Sequence, residues 1–371
     1  MKISIFSAFP PFRGGISQFS TKLSEALEKK HELFLITFKN QYPNWLFPGK
    51  SQYDYNQKSE LKSQIYRIVS TFYFPSYQRA ISTIKREKPS VFITNYWMTF
   101  FAPFMGFIAR KLPKDMVKIA IVHNLIPHEK RFFDGYFNSY FLKSYDGFVA
   151  LSEYVYNDLK KFVDEKRIIH IPHPPYNQFG EKINRTKACE NLKINPSKHT
   201  FLFFGIIRKY KGLDLLIEAF DILDDSYQLV IAGEVYGKED EIASLIAKNK
   251  NKDRILFHNK FIPDSDISTY FSASDFLVLP YRSGTQSGVS AIANHFSIPV
   301  IATDTGGLIE TLNPKTDIVI NTTDIPTIQK ALAESKDKKA TSSILNIEQA
   351  QTISWDTFSD KLEEFIQSIH K

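Results

Sequence analysis

An α/β chain of two doubly wound parallel layers with a cleft between them is the fold class that the 371 residues predict. Three observations lead there. Short runs, most of four to six residues and rich in Val, Ile and Phe, are apolar on both faces, as parallel strands covered on both sides must be. Segments with a 3.6-residue period separate these runs, and strand–helix alternation builds doubly wound layers. Twelve such runs are too many for one small sheet, and the length suits about two domains of roughly 100–200 residues.

The runs fall at 2–7, 33–38, 91–94, 118–122 and 147–151, then at 168–171, 200–205, 227–232, 254–257, 276–279, 299–302 and 318–320. Between the first two, Ile16, Phe19, Leu23, Ala26 and Leu27 make one helical face; later, Leu213, Leu216, Ile217 and Phe220 make another. The three prolines of His170-Ile-Pro-His-Pro-Pro175 lack amide donors and fix φ, which favours an extended linker. The predicted domains are therefore 1–172, 173–353 and a tail, 354–371, whose Trp355, Phe358, Leu362, Phe365 and Ile366 have helical spacing.

Composition excludes several classes. With 43% apolar and 23% charged residues, disorder, collagen and coiled coil are not expected. The single cysteine, Cys189, allows no intrachain disulfide and suits a reducing, cytosolic compartment. No apolar run approaches the roughly 18 residues of a spanning helix, and the opening segment lacks a signal peptide's apolar core. Charge is uneven: residues 1–167 hold 25 Lys and Arg against 14 Asp and Glu, whereas the rest of the chain is net acidic. The basic part also carries Trp45, Phe47, Phe72, Tyr73 and Phe74 beside Lys50, Arg67 and Arg79. Such a face suits an anionic membrane, nucleic acid or a phosphorylated substrate, or is simply a solvated surface.

Four segments carry the chemistry. Pro10-Pro-Phe-Arg-Gly14-Gly15-Ile-Ser-Gln18 follows the first strand and opens a helix, a place where backbone amides can meet an anion or merely turn the chain. Phe204-Gly205-Ile-Ile-Arg208-Lys209-Tyr-Lys211-Gly212 crowds three cations at a strand's C-terminal end, where ligands of open α/β sheets bind. Arg forks onto phosphate oxygens and Lys adds a point charge. Pro280-Tyr-Arg-Ser-Gly-Thr-Gln286-Ser287-Gly288-Val289 leads into a helix whose opening amides, at Ser287, Gly288 and Val289, make a second anion site. His123 follows a buried strand, with His128 close behind, in a position equally suited to ligand contact and to packing.

Together these segments resemble the family 4 retaining glycosyltransferases of the GT-B fold, which has two Rossmann-like domains facing a central cleft. The most specific match is Phe204-Gly…Arg208…Lys211-Gly-Leu-Asp-Leu-Leu-Ile-Glu-Ala-Phe220. Val230-Ile-Ala-Gly-Glu234, Ser274-Asp-Phe-Leu-Val-Leu-Pro280 and Pro299-Val-Ile-Ala-Thr-Asp-Thr-Gly-Gly307 follow at the family's spacing. The resemblance implies a nucleotide-sugar donor held mainly by the C-terminal domain, and a glycan or lipid-linked acceptor on the N-terminal one. It implies that Arg208 and Lys211 hold the diphosphate and that Gly14 and Gly15 touch the same phosphates. It also implies that His123 lies at the transferred sugar, and that Phe261 and Ile262 hold the base through their backbone.

The sequence departs from the family where Glu-x₇-Glu is usual and this chain reads Gly284-Thr-Gln-Ser-Gly-Val-Ser-Ala-Ile292. The variant looks like a subgroup associated with surface-polysaccharide synthesis, with Gln286 and Ser287 replacing the sugar contacts. The resemblance implies cationic stabilisation of the leaving diphosphate without a protein nucleophile. Neither a metal nor a resident cofactor is expected. The +11 balance of the first 167 residues predicts an enzyme at the inner membrane face, bound to its anionic surface. No nucleic-acid-binding module is recognised. A catalytically silent sugar-nucleotide or glycan-binding paralogue is the alternative that the missing carboxylates leave open.

Overall fold

Strands pair in parallel throughout the two sheets of the computed structural model. It describes residues 1–42, 47, 49–55, 60–126, 132–176, 178–284, 287–344 and 353–369, the last six before 345 as backbone only. The chain divides into two compact units, Met1–Pro174 with Ile353–Lys371, and Pro175–Thr352.

The first unit runs β1 (Lys2–Phe6), α1 (Gly15–Leu27), β2 (Glu32–Asn40), β3 (Ile65–Ser70), α2 (Phe74–Glu87), β4 (Val91–Tyr96), α3 (Ala102–Lys111), β5 (Val117–Val122), α4 (Asp134–Leu142), β6 (Gly147–Ala150), α5 (Glu153–Lys160) and β7 (Ile168–His170). The second runs α6 (Arg185–Leu192), β8 (His199–Phe204), α7 (Leu213–Phe220), β9 (Tyr227–Ala232), α8 (Glu239–Lys248), β10 (Ile255–His258), α9 (Asp264–Ser272), β11 (Phe276–Leu279), α10 (Gly288–His295), β12 (Val300–Thr303), β13 (Ile318–Ile320) and α11 (Ile325–Ile344). The last helix, α12 (Trp355–Ile369), belongs to the first unit.

Strand order is β3-β2-β1-β4-β5-β6-β7 in one sheet and β10-β9-β8-β11-β12-β13 in the other. Central strands such as β4, β5, β8 and β9 are buried at every position, as their two-sided apolar sequences require. In each sheet the winding reverses at one strand: β1 lies between β2 and β4, and β8 between β9 and β11. Connections leave those strands to opposite sides, which opens a crevice at their C-terminal ends. Both crevices receive segments singled out from the sequence.

The described residues hold one strand that periodicity did not reveal. β3, Ile65-Tyr-Arg-Ile-Val-Ser70, is an edge strand with Tyr66 and Arg67 exposed, so it lacks two apolar faces. The division of the chain also falls two residues beyond the expected linker boundary. The His173 ring packs on Phe19 and Trp355, and its Nδ1 lies 2.5 Å from the Pro174 carbonyl. Those contacts keep the His-Pro pair with the first unit.

α12 completes the first unit's core. Phe358, Leu362 and Ile366 are buried with Ile3, Ile5, Phe19 and Leu23 on one face of the sheet. Ser354 caps the helix by accepting from the Thr357 amide at 3.0 Å. Lys29 and Lys30 of the segment after α1 pair at 2.6 Å with Asp356 and Asp360 at its rim. In the second unit, α7 and α11 cover Phe201, Phe203 and Leu229 with Leu216, Phe220, Ile328 and Leu332. No helix among the described residues is long and apolar enough to cross a membrane.

Candidate active site

The second unit's crevice gathers the cationic loop and the start of α10. After β8 the chain passes through Gly205 at φ 94° and turns at Lys209–Lys211 before α7. A Cβ on Gly205 would stand 3.7 Å from Lys211 Nζ and 3.4 Å from Val289 Cγ2, so three of the predicted site residues meet here. Gly212 begins α7 at φ 68°, and a Cβ there would lie 2.0 Å from the Pro280 carbonyl oxygen. Only glycine fits that approach, which explains Lys-Gly before the apolar helix.

The Lys211 side chain has no hydrogen bond or ion pair among the described residues; its ammonium stands 5.4 Å from the Tyr281 ring centre. Burial pushes its pKa down, and Arg208 adds to the same direction although Tyr210 opposes it. The Arg208 guanidinium lies 5.4 Å from the Tyr236 ring centre, and no carboxylate neutralises it among the described residues. Two cations that have no counter-charge among the described residues, at the C-terminal end of a parallel strand, form a site for an anion.

The loop is braced from β11's side. Arg282 forks onto Asp214 with two bonds of 2.7 Å, donates to the Lys209 carbonyl at 2.8 Å, and its own amide donates to the Tyr210 carbonyl at 2.7 Å. Burial opposes the ionised Asp214, but the fork outweighs it and holds that carboxyl below its usual range. Sequence reasoning missed Arg282; the signal available was an arginine three residues past a buried strand, level with the turn.

Ser287 precedes α10 without capping it by its side chain, and the amides of Gly288 and Val289 take no hydrogen bond among the described residues. These donors face the same helix N-terminus, where the dipole favours negative charge. Ser287 Oγ stands 3.4 Å from the Tyr281 hydroxyl, whose pKa burial pushes up to about 12. Gln286 lies outside the described residues, as do Trp45 and His128. Phe261 and Ile262 sit in the loop between β10 and α9. Neither the amide nor the carbonyl of Ile262 takes a partner among the described residues. The sequence's Asp-x-Asp spacing, Asp264-Ser-Asp266, falls in the first turn of α9. No group of three His, Cys, Asp or Glu that could hold a metal gathers among the described residues.

In the first unit, Gly14 at φ 104° precedes α1, which opens at Gly15 with no side-chain cap. His123 directly follows β5, its amide donating to the Tyr96 carbonyl at 2.8 Å. Its ring packs edge-on to Phe19, with centroids 4.7 Å apart, and Nε2 lies 2.8 Å from Asn95 Oδ1. Burial pushes its pKa down to about 3, with His173 acting in the same direction, so the imidazole is neutral at physiological pH. The ring is thus both packed and at a strand end, which position in the sequence did not decide between.

Parallel sheets with cationic and amide-lined switch points define a class of nucleotide-handling α/β proteins, and the comparisons narrow it. Residues 13–174 match the family model "Glycosyltransferase Family 4", and residues 184–348 match "Glycosyl transferases group 1". The chain is a glycosyltransferase of this family 4/group 1, GT-B type. It is 26% identical over 319 residues to an uncharacterized glycosyltransferase, MJ1178, of Methanocaldococcus jannaschii, covering 83% of this chain and 80% of that one. It is 27% identical to the lipopolysaccharide core biosynthesis mannosyltransferase LpsB of Rhizobium meliloti, over 44% of this chain and 48% of the relative. Its fold matches Anabaena HepE, solved with UDP-glucose, at TM-score 0.77 and 13% identity, over 99% of this chain and 100% of that one.

Proposed function

We propose that this glycosyltransferase moves a sugar from a nucleotide-sugar donor to a glycan or lipid-linked acceptor in surface-polysaccharide synthesis, with retention of anomeric configuration. The observation that carries the reading is Lys211, a half-buried cation that, among the described residues, has no counter-charge, beside Arg208 and the amides of Gly288 and Val289, which there take no hydrogen bond. A diphosphate supplies the missing negative charge, and the same cations stabilise it as it leaves, with no metal needed. Ile262 offers one backbone donor and one acceptor to the base. Ser287 and Gln286 take the donor sugar, Gly14 and Gly15 approach phosphate, and His123 approaches a sugar hydroxyl. LpsB's lipopolysaccharide role and HepE's UDP-glucose support this choice of substrates.

A membrane surface is the proposed working place. Phe72, Tyr73 and Phe74, at the start of α2, are 60%, 57% and 51% exposed, with Arg79 exposed one turn on. Exposed aromatics beside an exposed arginine suit an anionic interface. Anionic vesicles should carry the protein in flotation at low salt, and Phe72→Ser with Phe74→Ser should weaken this; no flotation at low salt refutes the membrane reading.

The transfer test uses UDP-, GDP- and ADP-hexoses with lipid-linked glycan acceptors, detected by mass. Losing one charge-assisted bond costs on the order of 1.5–3 kcal/mol, so Arg208→Ala and Lys211→Ala should lose most transfer while remaining folded. Full turnover by both variants overturns the site. The absent Glu-x₇-Glu pair favours one second reading, a silent sugar-nucleotide-binding paralogue, which binds donor without turnover.

A further inference from the structure

A buried polar chain runs from α1 to His123. Ser20 Oγ lies 2.7 Å from the Ile16 carbonyl, 2.6 Å from Ser7 Oγ and 3.2 Å from Asn95 Nδ2. Asn95 Oδ1 lies 2.8 Å from His123 Nε2. Ser7, Ser20 and Asn95 are all wholly buried, so water does not complete their bonds.

Counting protons favours one set of directions. The Ser20 hydroxyl has one proton, and the Ile16 carbonyl can only accept, so that proton goes to Ile16. Ser20 Oγ then accepts twice, from Ser7 and from the Asn95 amide, which uses both lone pairs. Asn95 therefore turns its carbonyl toward His123, and His123 Nε2 must carry the ring proton. Reversing the amide would draw the single Ser20 proton away from the Ile16 carbonyl to Asn95, a loss of one neutral hydrogen bond, about 0.5–1.5 kcal/mol. A neutral imidazole has one donor nitrogen and one acceptor nitrogen. Nδ1 is therefore a lone pair, and it takes no hydrogen bond among the described residues.

We propose that Asn95 is a positioning residue that locks His123 in the Nε2–H tautomer, so that Nδ1 accepts a hydrogen bond from a hydroxyl of the substrate. This rests on the reading in which His123 faces a sugar. It narrows the ligand edge to a neutral polyol, because a carboxylate or phosphate oxygen would meet a lone pair. It also makes His123 an acceptor, not a donor, toward that hydroxyl. Burial, which keeps the ring neutral, acts in the same sense.

Two measurements test it. Long-range ¹H–¹⁵N spectra of protein labelled at histidine, assigned with His123→Gln, report the tautomer without any substrate. The expected wild-type spectrum has a neutral ring protonated on Nε2, unchanged from pH 5 to 8. Asn95→Ala should release it to a tautomer mixture. Turnover with UDP-, GDP- and ADP-hexoses should show kcat for Asn95→Ala falling up to about tenfold, one neutral hydrogen bond's worth, with donor KM little changed. An Nδ1–H ring in the wild type overturns the proposal alone if His123→Gln is inactive. A His123→Gln enzyme at full rate overturns the sugar-facing reading and the proposal with it.

Discussion

Replacing Lys211 with methionine should make the empty protein more stable and the enzyme unable to hold its donor. The side chain keeps nearly the same length and volume, so packing against Gly205, Val289 and Tyr281 survives. What disappears is an ammonium that burial already drives toward neutrality. Taking a charge out of water costs several kcal/mol after relaxation; the Tyr281 face returns about 0.5–2 kcal/mol of that. The net relief is on the order of 1 kcal/mol, or roughly 2–4 °C in the melting of a domain of 150–250 residues. The diphosphate, meanwhile, loses a charge-assisted bond of about 1.5–3 kcal/mol, which is roughly 10- to 150-fold in affinity. Differential scanning fluorimetry, without ligand and across a series of UDP, GDP and ADP concentrations, reads both quantities. A Lys211→Met protein that melts lower than wild type, yet is still raised normally by a nucleoside diphosphate, would refute the electrostatic argument.

Gly212→Ala must place a Cβ 2.0 Å from the Pro280 oxygen at a φ of 68°. The left-handed backbone alone costs roughly 1–2 kcal/mol, so denaturant unfolding should show destabilisation at the upper end of the usual 0.5–3 kcal/mol range. For Arg282 and Asp214, each 32% exposed, a double-mutant cycle should give coupling of about 1 kcal/mol, at the top of the range for solvent-screened pairs. Each single substitution should also weaken binding of nucleoside diphosphates by loosening the Lys209–Lys211 turn. Acid should destabilise the fold early. His31, His123, His173 and His258 are all held below their ordinary pKa by burial, so the unfolded chain binds more protons than the folded one. Stability is then full above about pH 6.5 and falls as pH drops toward the folded values, about 3 for His123 and about 4 for His173. Chemical denaturation at stepped pH should show a shallower slope in His123→Gln.

The second unit was the more legible from sequence because its site lies on consecutive residues. Gly205 to Gly212 hold a strand end, a turn and a helix start within eight positions, and each piece has its own local signature. The Arg282–Asp214 fork spans 68 residues and carries no such mark. In the first unit, the apolar stripe of α1 was readable, but its other side was not. Ser17, Ser20, Thr21 and Ser24 look like a solvated face and are buried. Two of them find partners inside the protein, Thr21 on the Ser17 carbonyl at 2.8 Å and Ser20 on Asn95 of β4, whereas the Ser17 and Ser24 hydroxyls take none among the described residues. Binary patterning cannot separate a hydroxyl facing water from one facing an asparagine on another strand. The same holds for β3, whose edge position gives it a mixed sequence.

The placement of α12 sets the order in which this protein can mature. The helix supplies Phe358, Leu362 and Ile366 to the first unit's interior, yet the ribosome makes it only after all of Pro175–Thr352. At about 5–20 residues per second, synthesis of that intervening unit takes roughly 10–35 s. Throughout that interval the face formed by Ile3, Ile5, Phe19 and Leu23 stands without its cover. The second unit, whose residues are contiguous, can finish folding first, although it is made later. The nascent chain should therefore present its stickiest surface at its oldest end, and ribosome-bound chains stopped before residue 353 are the ones that a holdase chaperone should recognise.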